Sequence, residues 1–213
     1  MSSRKRNVVP GTQALRPGEG HIVPTRLEQR LSVTGETDAF LEFQIGNAPV
    51  PQRKYTADFV GLVRDLNRGK LLFGSKRVDG KGLRSLLVVQ MSKRAIAHML
   101  YTIERVKDPT YEEIVATLGI QIEPVQPVKE EPSQTVPLSA NVVLAAMSGE
   151  ECCVDFYEAS PFAFRSAQRG GEMAVDPIVR VNVPSGAFVG LIRALKEQFP
   201  DAKEDAENHL PEE

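Results

Sequence analysis

Apolar positions mark the same short plan at two places in the chain, a strand that runs directly into an amphipathic helix. Ile178 to Phe199 reads IVRVNVPSGAFVGLIRALKEQF, and Leu86 to Lys107 reads LLVVQMSKRAIAHMLYTIERVK. The two align at a constant offset of 92 residues, with Val88-Val89-Gln90-Met91 against Arg180-Val181-Asn182-Val183. Ile96, Met99, Leu100 and Ile103 then stand against Phe188, Leu191, Ile192 and Leu195, the spacing of one buried helix face. Ser92 is a plausible cap for the first helix, and Pro200 stops the second.

Other elements follow from alternation and turn chemistry. Pro24 to Thr34 and Ala39 to Ile45 read as a hairpin around Thr34-Gly35-Glu36. Ala140 to Met147 and Cys152 to Tyr157 read as a second hairpin around Ser148-Gly149-Glu150. Phe40-Leu-Glu-Phe43 matches Cys153-Val-Asp-Phe156 at an offset of 113, so each strand–helix unit is expected to follow its own hairpin. Between the first hairpin and Leu86, Phe59, Leu62, Val63 and Leu66 recur at helical spacing and predict a helix over 56–67. A glycine- and lysine-punctuated loop, Arg68 to Gly82, comes next, with room for a short hairpin. Thr110 is expected to cap a brief helix, Tyr111 to Leu118, that Gly119 ends.

The expected fold class is therefore α+β, as two tandem β-β-β-α repeats forming a pseudo-dimer, each antiparallel sheet backed by its C-terminal helix. A basic tail covers 1–20, and the first repeat covers 21–120 with a basic helical insertion at 47–85. Pro124, Pro127, Pro132 and Pro137 mark a linker at 121–137; the second repeat covers 138–200, and an acidic tail covers 201–213. A three-stranded sheet with one helix leaves edges uncovered, so two copies in one chain can protect each other.

Ser139-Ala-Asn-Val-Val-Leu, the Cys-Val-Asp-Phe156 strand, Val181-Asn-Val-Pro184 and the Leu191 to Phe199 run carry a family resemblance. They resemble a widespread small bacterial family of unknown function, built as a hairpin with an apolar-Asp-Phe return strand, a third strand and a proline-started helix. The likeness spans 138–200, and reaches 24–107 only through the internal repeat. The first copy departs from it, with a long insertion and no proline before its helix. The resemblance implies the fold and brings no catalytic residue. At the level of architecture, a sheet backed by a C-terminal helix is also similar to SecB-like export chaperones.

Composition narrows the chemistry. With 41% hydrophobic residues, 6% aromatics and no tryptophan, the core is expected to be aliphatic. No apolar run approaches the roughly 20 residues of a membrane span, and Met1-Ser-Ser-Arg-Lys-Arg lacks a signal-peptide core. The two cysteines, Cys152 and Cys153, are adjacent and form no disulfide framework, so a cytoplasmic setting is expected. His21, His98 and His209 stand at no metal-ligand spacing. Gly74-Ser-Lys-Arg-Val-Asp-Gly80-Lys81-Gly82 misses the P-loop pattern by one residue and lacks its Ser/Thr. No nucleophile elbow or carboxylate pair appears. The expectation is no enzyme, no cofactor, no metal site and no small-molecule substrate.

Charge is distributed unevenly. Residues 53–94 carry eleven Lys or Arg against three Asp, a local +8 in a chain of net −2. Arg64, Arg68, Lys70, Lys76, Arg77, Lys81 and Arg84 are the candidate contacts for nucleic acid or an acidic partner. That partner includes the chain's own acidic C-terminal tail. The preferred functional expectation is a protein-interaction or assembly module acting through exposed sheet edges or helix faces. The alternatives are a nucleic-acid-associated protein using the basic region, and a chaperone holding unfolded clients.

Overall fold

Two strand-to-helix junctions, Ser92–Lys93 and Pro184–Ser185, organise the molecule, and both strands pass into helix without an intervening loop. The computed structural model describes residues 21–31, 37–43, 49–65, 67–104, 109–128, 135–163 and 172–202, the first two stretches as backbone alone. The expected tail at 1–20 and all but two residues of the expected tail at 201–213 lie outside the described residues; Asp201 and Ala202 are helical, and Ala202 is buried in the core rather than solvated. The strands are β1 (His21–Leu31), β2 (Thr37–Phe43), β3 (Lys54–Thr56), β4 (Phe59–Asp65), β5 (Arg68–Lys76) and β6 (Leu83–Ser92). After α1 (Lys93–Glu104) and α2 (Tyr111–Thr117) come β7 (Gln126–Pro127), β8 (Leu138–Ser139), β9 (Val142–Ser148), β10 (Glu151–Glu158) and β11 (Glu172–Pro184). The helix α3 covers Ser185–Gln198. The chain is α+β, with two mixed sheets. One has the order β2-β1-β11-β10-β9, with β3 also on β11, and the other has the order β7-β4-β5-β6-β8.

The hairpin that precedes α1 is β4–β5, not β1–β2. It matches β9–β10 at an offset of 83 residues, Phe59 with Val142 and Arg68 with Glu151. The hairpin registers agree, Asp65 facing Arg68 as Ser148 faces Glu151, and the pairings with the third strand agree from Arg68–Ser92 to Phe73–Leu87 as from Glu151–Pro184 to Phe156–Val179, beyond which the two bulges fall at different positions. Single bonds repeat as well. Asp58 N–H donates to Gly74 O at 3.0 Å, and Asn141 N–H donates to Tyr157 O at 3.0 Å. Lys93 N–H reaches Asn67 O at 3.0 Å, and Ser185 N–H reaches Glu150 O at 2.8 Å. The β10–β11 connection is the longer one, which turns the offset of 83 into 92 at the third strand.

The halves exchange strands. β3, just before the first hairpin, pairs in parallel with β11 of the second half, Tyr55 opposite Val181. β8, just before the second hairpin, pairs in parallel with β6 of the first half, Leu138 opposite Val89. Tyr55 and Leu138 are matched positions, as are Val181 and Val89. The flanking bonds follow suit, with Ala57 N–H to Asn182 O at 2.9 Å and Ala140 N–H to Gln90 O at 3.1 Å. Phe73 and Phe156, also matched, touch each other with ring centroids 5.7 Å apart.

One core joins both halves. All eight helix positions read from the sequence stripe are buried in it, together with Leu62, Leu71, Phe73, Val143, Val154 and Phe156 from the sheets. α1 lies against β9 and α3 against β4, so each helix also covers the other half's hairpin.

Three sequence expectations are corrected. The helix expected over 56–67, and the insertion of 47–85 around it, are strands β3 to β5 and the start of β6. Val60, Gly61 and Leu62 are consecutive buried positions, and a strand covered on both faces shows no alternation to distinguish it from a helix. Gly69 and Gly74, which read as loop punctuation, lie within β5. A side chain at Gly69 would press on Ile96, and one at Gly74 on Leu83. The β1–β2 hairpin joins the second half's sheet through β11, His21 opposite Val175. Finally, the start of the proline-rich stretch is embedded. Glu123 N–H bonds Gly186 O at 3.2 Å, and β7 pairs in parallel with β4.

Candidate functional site: the β5–β6 arm

The basic residues do not form one patch. Four of the seven candidates, Lys76, Arg77, Lys81 and Arg84, gather at the end of the β5–β6 hairpin, where every residue from Lys76 to Ser85 is exposed. Arg64, Arg68 and Lys70 lie toward the opposite end of β5. At about 3.3 Å per strand residue, Arg68 and Lys76 stand about 26 Å apart.

The tip is internally braced. Gly80 N–H donates to Arg77 O at 2.9 Å, and Arg77 N–H donates to Gly82 O at 3.1 Å. Gly80 and Gly82 have φ of 69° and 90°, a backbone region that glycine enters without strain. Asp79, the tip's single acid, accepts from Lys81 N–H at 3.0 Å and lies 3.4 Å from Arg77 Nε. Among the described residues no carboxylate pairs with Lys76, Lys81 or Arg84. Val78, at the apex between these cations, is fully exposed. The base of the arm is tied to β3 and to the residue before β4. Ser75 Oγ donates to Thr56 O at 2.9 Å, Lys76 N–H to Asp58 Oδ1 at 2.6 Å, and Tyr55 and Ser85 share a hydroxyl bond of 2.6 Å.

At the other end the chain's own C-terminal residues meet Arg64 and Lys93, while Arg68 is exposed. The Arg64 guanidinium lies 5.3 Å from the centroid of the Phe199 ring. Lys93 Nζ pairs with Asp201 at 2.7 Å, and the Lys93 ammonium holds that carboxyl below its ordinary value. Lys70 sits half-buried on β5, between Val63 of β4 and Gln90 of β6. Arg64, Arg68 and Lys70 therefore stand apart from the tip.

A polar cluster that sequence reasoning missed lies on one face of β10 and β11. Arg180 donates to both oxygens of Asp155, at 2.7 and 2.6 Å, and Tyr157 Oη donates to Asp155 Oδ2 at 3.3 Å. The signal was present as Cys153, Asp155 and Tyr157 at i, i+2 and i+4 on a strand, which share a face. Burial, with the Asp155 charge second, pushes the Cys153 thiol and the Tyr157 hydroxyl up. Burial also pushes up the Cys152 thiol, which faces the core. Both shifts favour the protonated thiol over the nucleophilic thiolate. His21 lies in β1, His98 in α1, and His209 outside the described residues. Among the described residues no group of three or more His, Cys, Asp or Glu could hold a metal ion, and no helix is long and apolar enough to cross a membrane.

In comparisons with known proteins, the chain matches no family model, no curated protein and no solved structure.

Proposed function

We propose that this chain is a non-enzymatic binding module, built as two tandem β-β-β-α repeats in an internal pseudo-dimer, whose arm binds the phosphate backbone of nucleic acid. The repeat reading is supported by the matched registers and the reciprocal β3–β11 and β8–β6 pairings. The binding reading rests on one observation. Lys76, Arg77, Lys81 and Arg84 are gathered on an exposed ribbon, and its only acid is engaged in the turn. A braced ribbon presents these charges without first having to be ordered, which lowers the cost of association.

The edges on which the assembly reading leans are partly covered. β7 covers part of β4, β8 covers part of β6, and Tyr111 Oη donates to the Ala145 carbonyl of edge strand β9 at 2.8 Å. Protein association keeps two supporting observations, the outer edges of β2 and β9, which pair with no further strand among the described residues. A monomeric mass in sedimentation, with no protein retained from native extract, would remove that second reading.

The test is duplex binding as a function of salt. Four phosphate contacts give a slope of log K against log salt of about −3.6, and the Arg77→Ala/Lys81→Ala/Arg84→Ala variant reduces it to about −0.9. Arg64→Ala/Arg68→Ala leaves the slope unchanged. A slope that the triple variant does not alter overturns the proposal.

A further inference from the structure

Resting on that reading, we infer that the arm's partner is a duplex, which the ribbon enters along a groove so that Val78 meets the bases. The exposed side chains of the tip include four cations and a valine but no aromatic ring. Binding of single strands relies on aromatic platforms for stacking, and the tip has none to offer. A two-stranded ribbon is instead an element that the major groove admits. Tyr55 hydrogen-bonds Ser85 at the arm's base, and Phe59 lies against Gly74 further along the hairpin, so neither ring is at the tip.

Val78 decides how the ribbon sits. It stands at the apex, fully exposed, between Arg77 and the Asp79–Lys81 turn. If the cations at its sides engage the two backbones, the apex points to the floor of the groove. There an apolar side chain can pack on a thymine methyl or press into a base step. The Asp79 bonds and the two positive-φ glycines keep the apex in shape before contact.

The full chain would be titrated with a duplex, with the single strand of the same sequence, and with anionic phospholipid vesicles. Val78→Ser would be measured beside the wild type. The wild type is expected to prefer the duplex. Val78→Ser should weaken duplex binding about tenfold, the scale of burying a valine, with the salt slope unchanged because the phosphate contacts remain. A 2-aminopurine placed in the duplex should respond to the wild type and not to the variant. Equal or tighter binding of the single strand, a serine variant that matches the wild type, or binding of vesicles in place of duplex each overturns the inference. Loss of the charge reading appears separately, as a salt slope that the triple arm variant does not change.

Discussion

Replacing Gly190 with alanine sets two effects of opposite sign against each other. Gly190 lies inside α3, where alanine is the better helix former by about 1 kcal/mol, so on a free helix face the change would stabilise. Here the added Cβ would overlap the Glu123 carbonyl oxygen, a backbone atom that cannot rotate away as a side chain would. Gly186, one turn earlier, stands in the same relation to the carbonyl of Gln121. The segment 120–127 crosses α3 on these two glycines, with Ile120 and Ile122 packed against the core. It is held at the crossing by the Glu123–Gly186 bond and beyond it by the pairing of β7 with β4. Relief of the clash therefore lifts the segment as a unit. Overpacking of this kind costs about 1–3 kcal/mol, and a lost hydrogen bond adds about 1 kcal/mol. After subtraction of the propensity gain, Gly190→Ala should lower stability by about 2 kcal/mol, and Gly186→Ala by a similar amount. Urea unfolding followed by circular dichroism reads this as a lower midpoint. The double variant should cost less than the sum, because once the segment lifts the second methyl meets nothing. Arg94→Ala is the control. Arg94 is the α1 position matched to Gly186, is exposed, and should change stability by less than about 0.5 kcal/mol. A neutral or stabilising Gly190→Ala would refute the close crossing.

The Asp155–Arg180 pair invites a test written into the other half, where the matched and likewise paired residues are Leu72 and Val88. Asp155→Ala, which strands the half-buried guanidinium, should cost about 2 kcal/mol, whereas Asp155→Leu/Arg180→Val should fall within about 1 kcal/mol of wild type in thermal or urea unfolding. Tyr111 governs part of the alkaline limit. Burial, and secondly the neighbouring Cys152, push its hydroxyl from 10.0 up to about 12. The fold thus favours the protonated form, and that stabilisation is complete below the unfolded value and is lost as pH rises through the folded one. Tyr111→Phe, which also gives up the bond to Ala145 O, should show a smaller fall in urea midpoint between about pH 9 and about pH 11.5 than wild type. An equal fall in both proteins would remove Tyr111 from the account.

The helices and their lead-in strands were legible because one face of each is buried and the other is not. Ile96, Met99, Leu100, Ile103 and their partners 92 residues on trace that face without ambiguity. β4 and β5 were not legible. Val60, Gly61 and Leu62 are all buried, and Phe59, Leu62, Val63 and Leu66 fall at helical spacing by coincidence. That error moved the first hairpin to β1–β2 and the apparent offset to 113. The segment over α3 was hidden by its prolines, although Ile120 and Ile122 alternate with exposed Gln121 and Glu123 as in any half-buried strand. For the site, the charge run itself was plain. Its division between an arm tip and a separate opposite end was not, because it depends on Arg68 and Lys76 being the two ends of one strand.

The matched positions that differ between the halves bear on the proposed pseudo-dimer. Gly186 and Gly190 of α3 correspond to Arg94 and His98 of α1, which have no room for a crossing backbone of the same kind. The chain leaving α1 passes over α3, and α2 on the way packs Tyr111 edge-on against Phe188 at 5.5 Å and ties Glu112 to Arg193 at 2.8 Å. One connecting segment thus clamps the second half's helix and then adds β7 to the first half's sheet. Together with the exchanged β3 and β8 strands, this makes each half's sheet incomplete without backbone from the other. Opening either half exposes unpaired ladder groups in its neighbour as well, so the two should unfold in one transition. The β5–β6 tip lies outside all of these exchanges. That independence suits the arm to the proposed binding function, since the side chains of Arg77, Val78 and Lys81 take no part in strand pairing and can be altered at little cost to the fold.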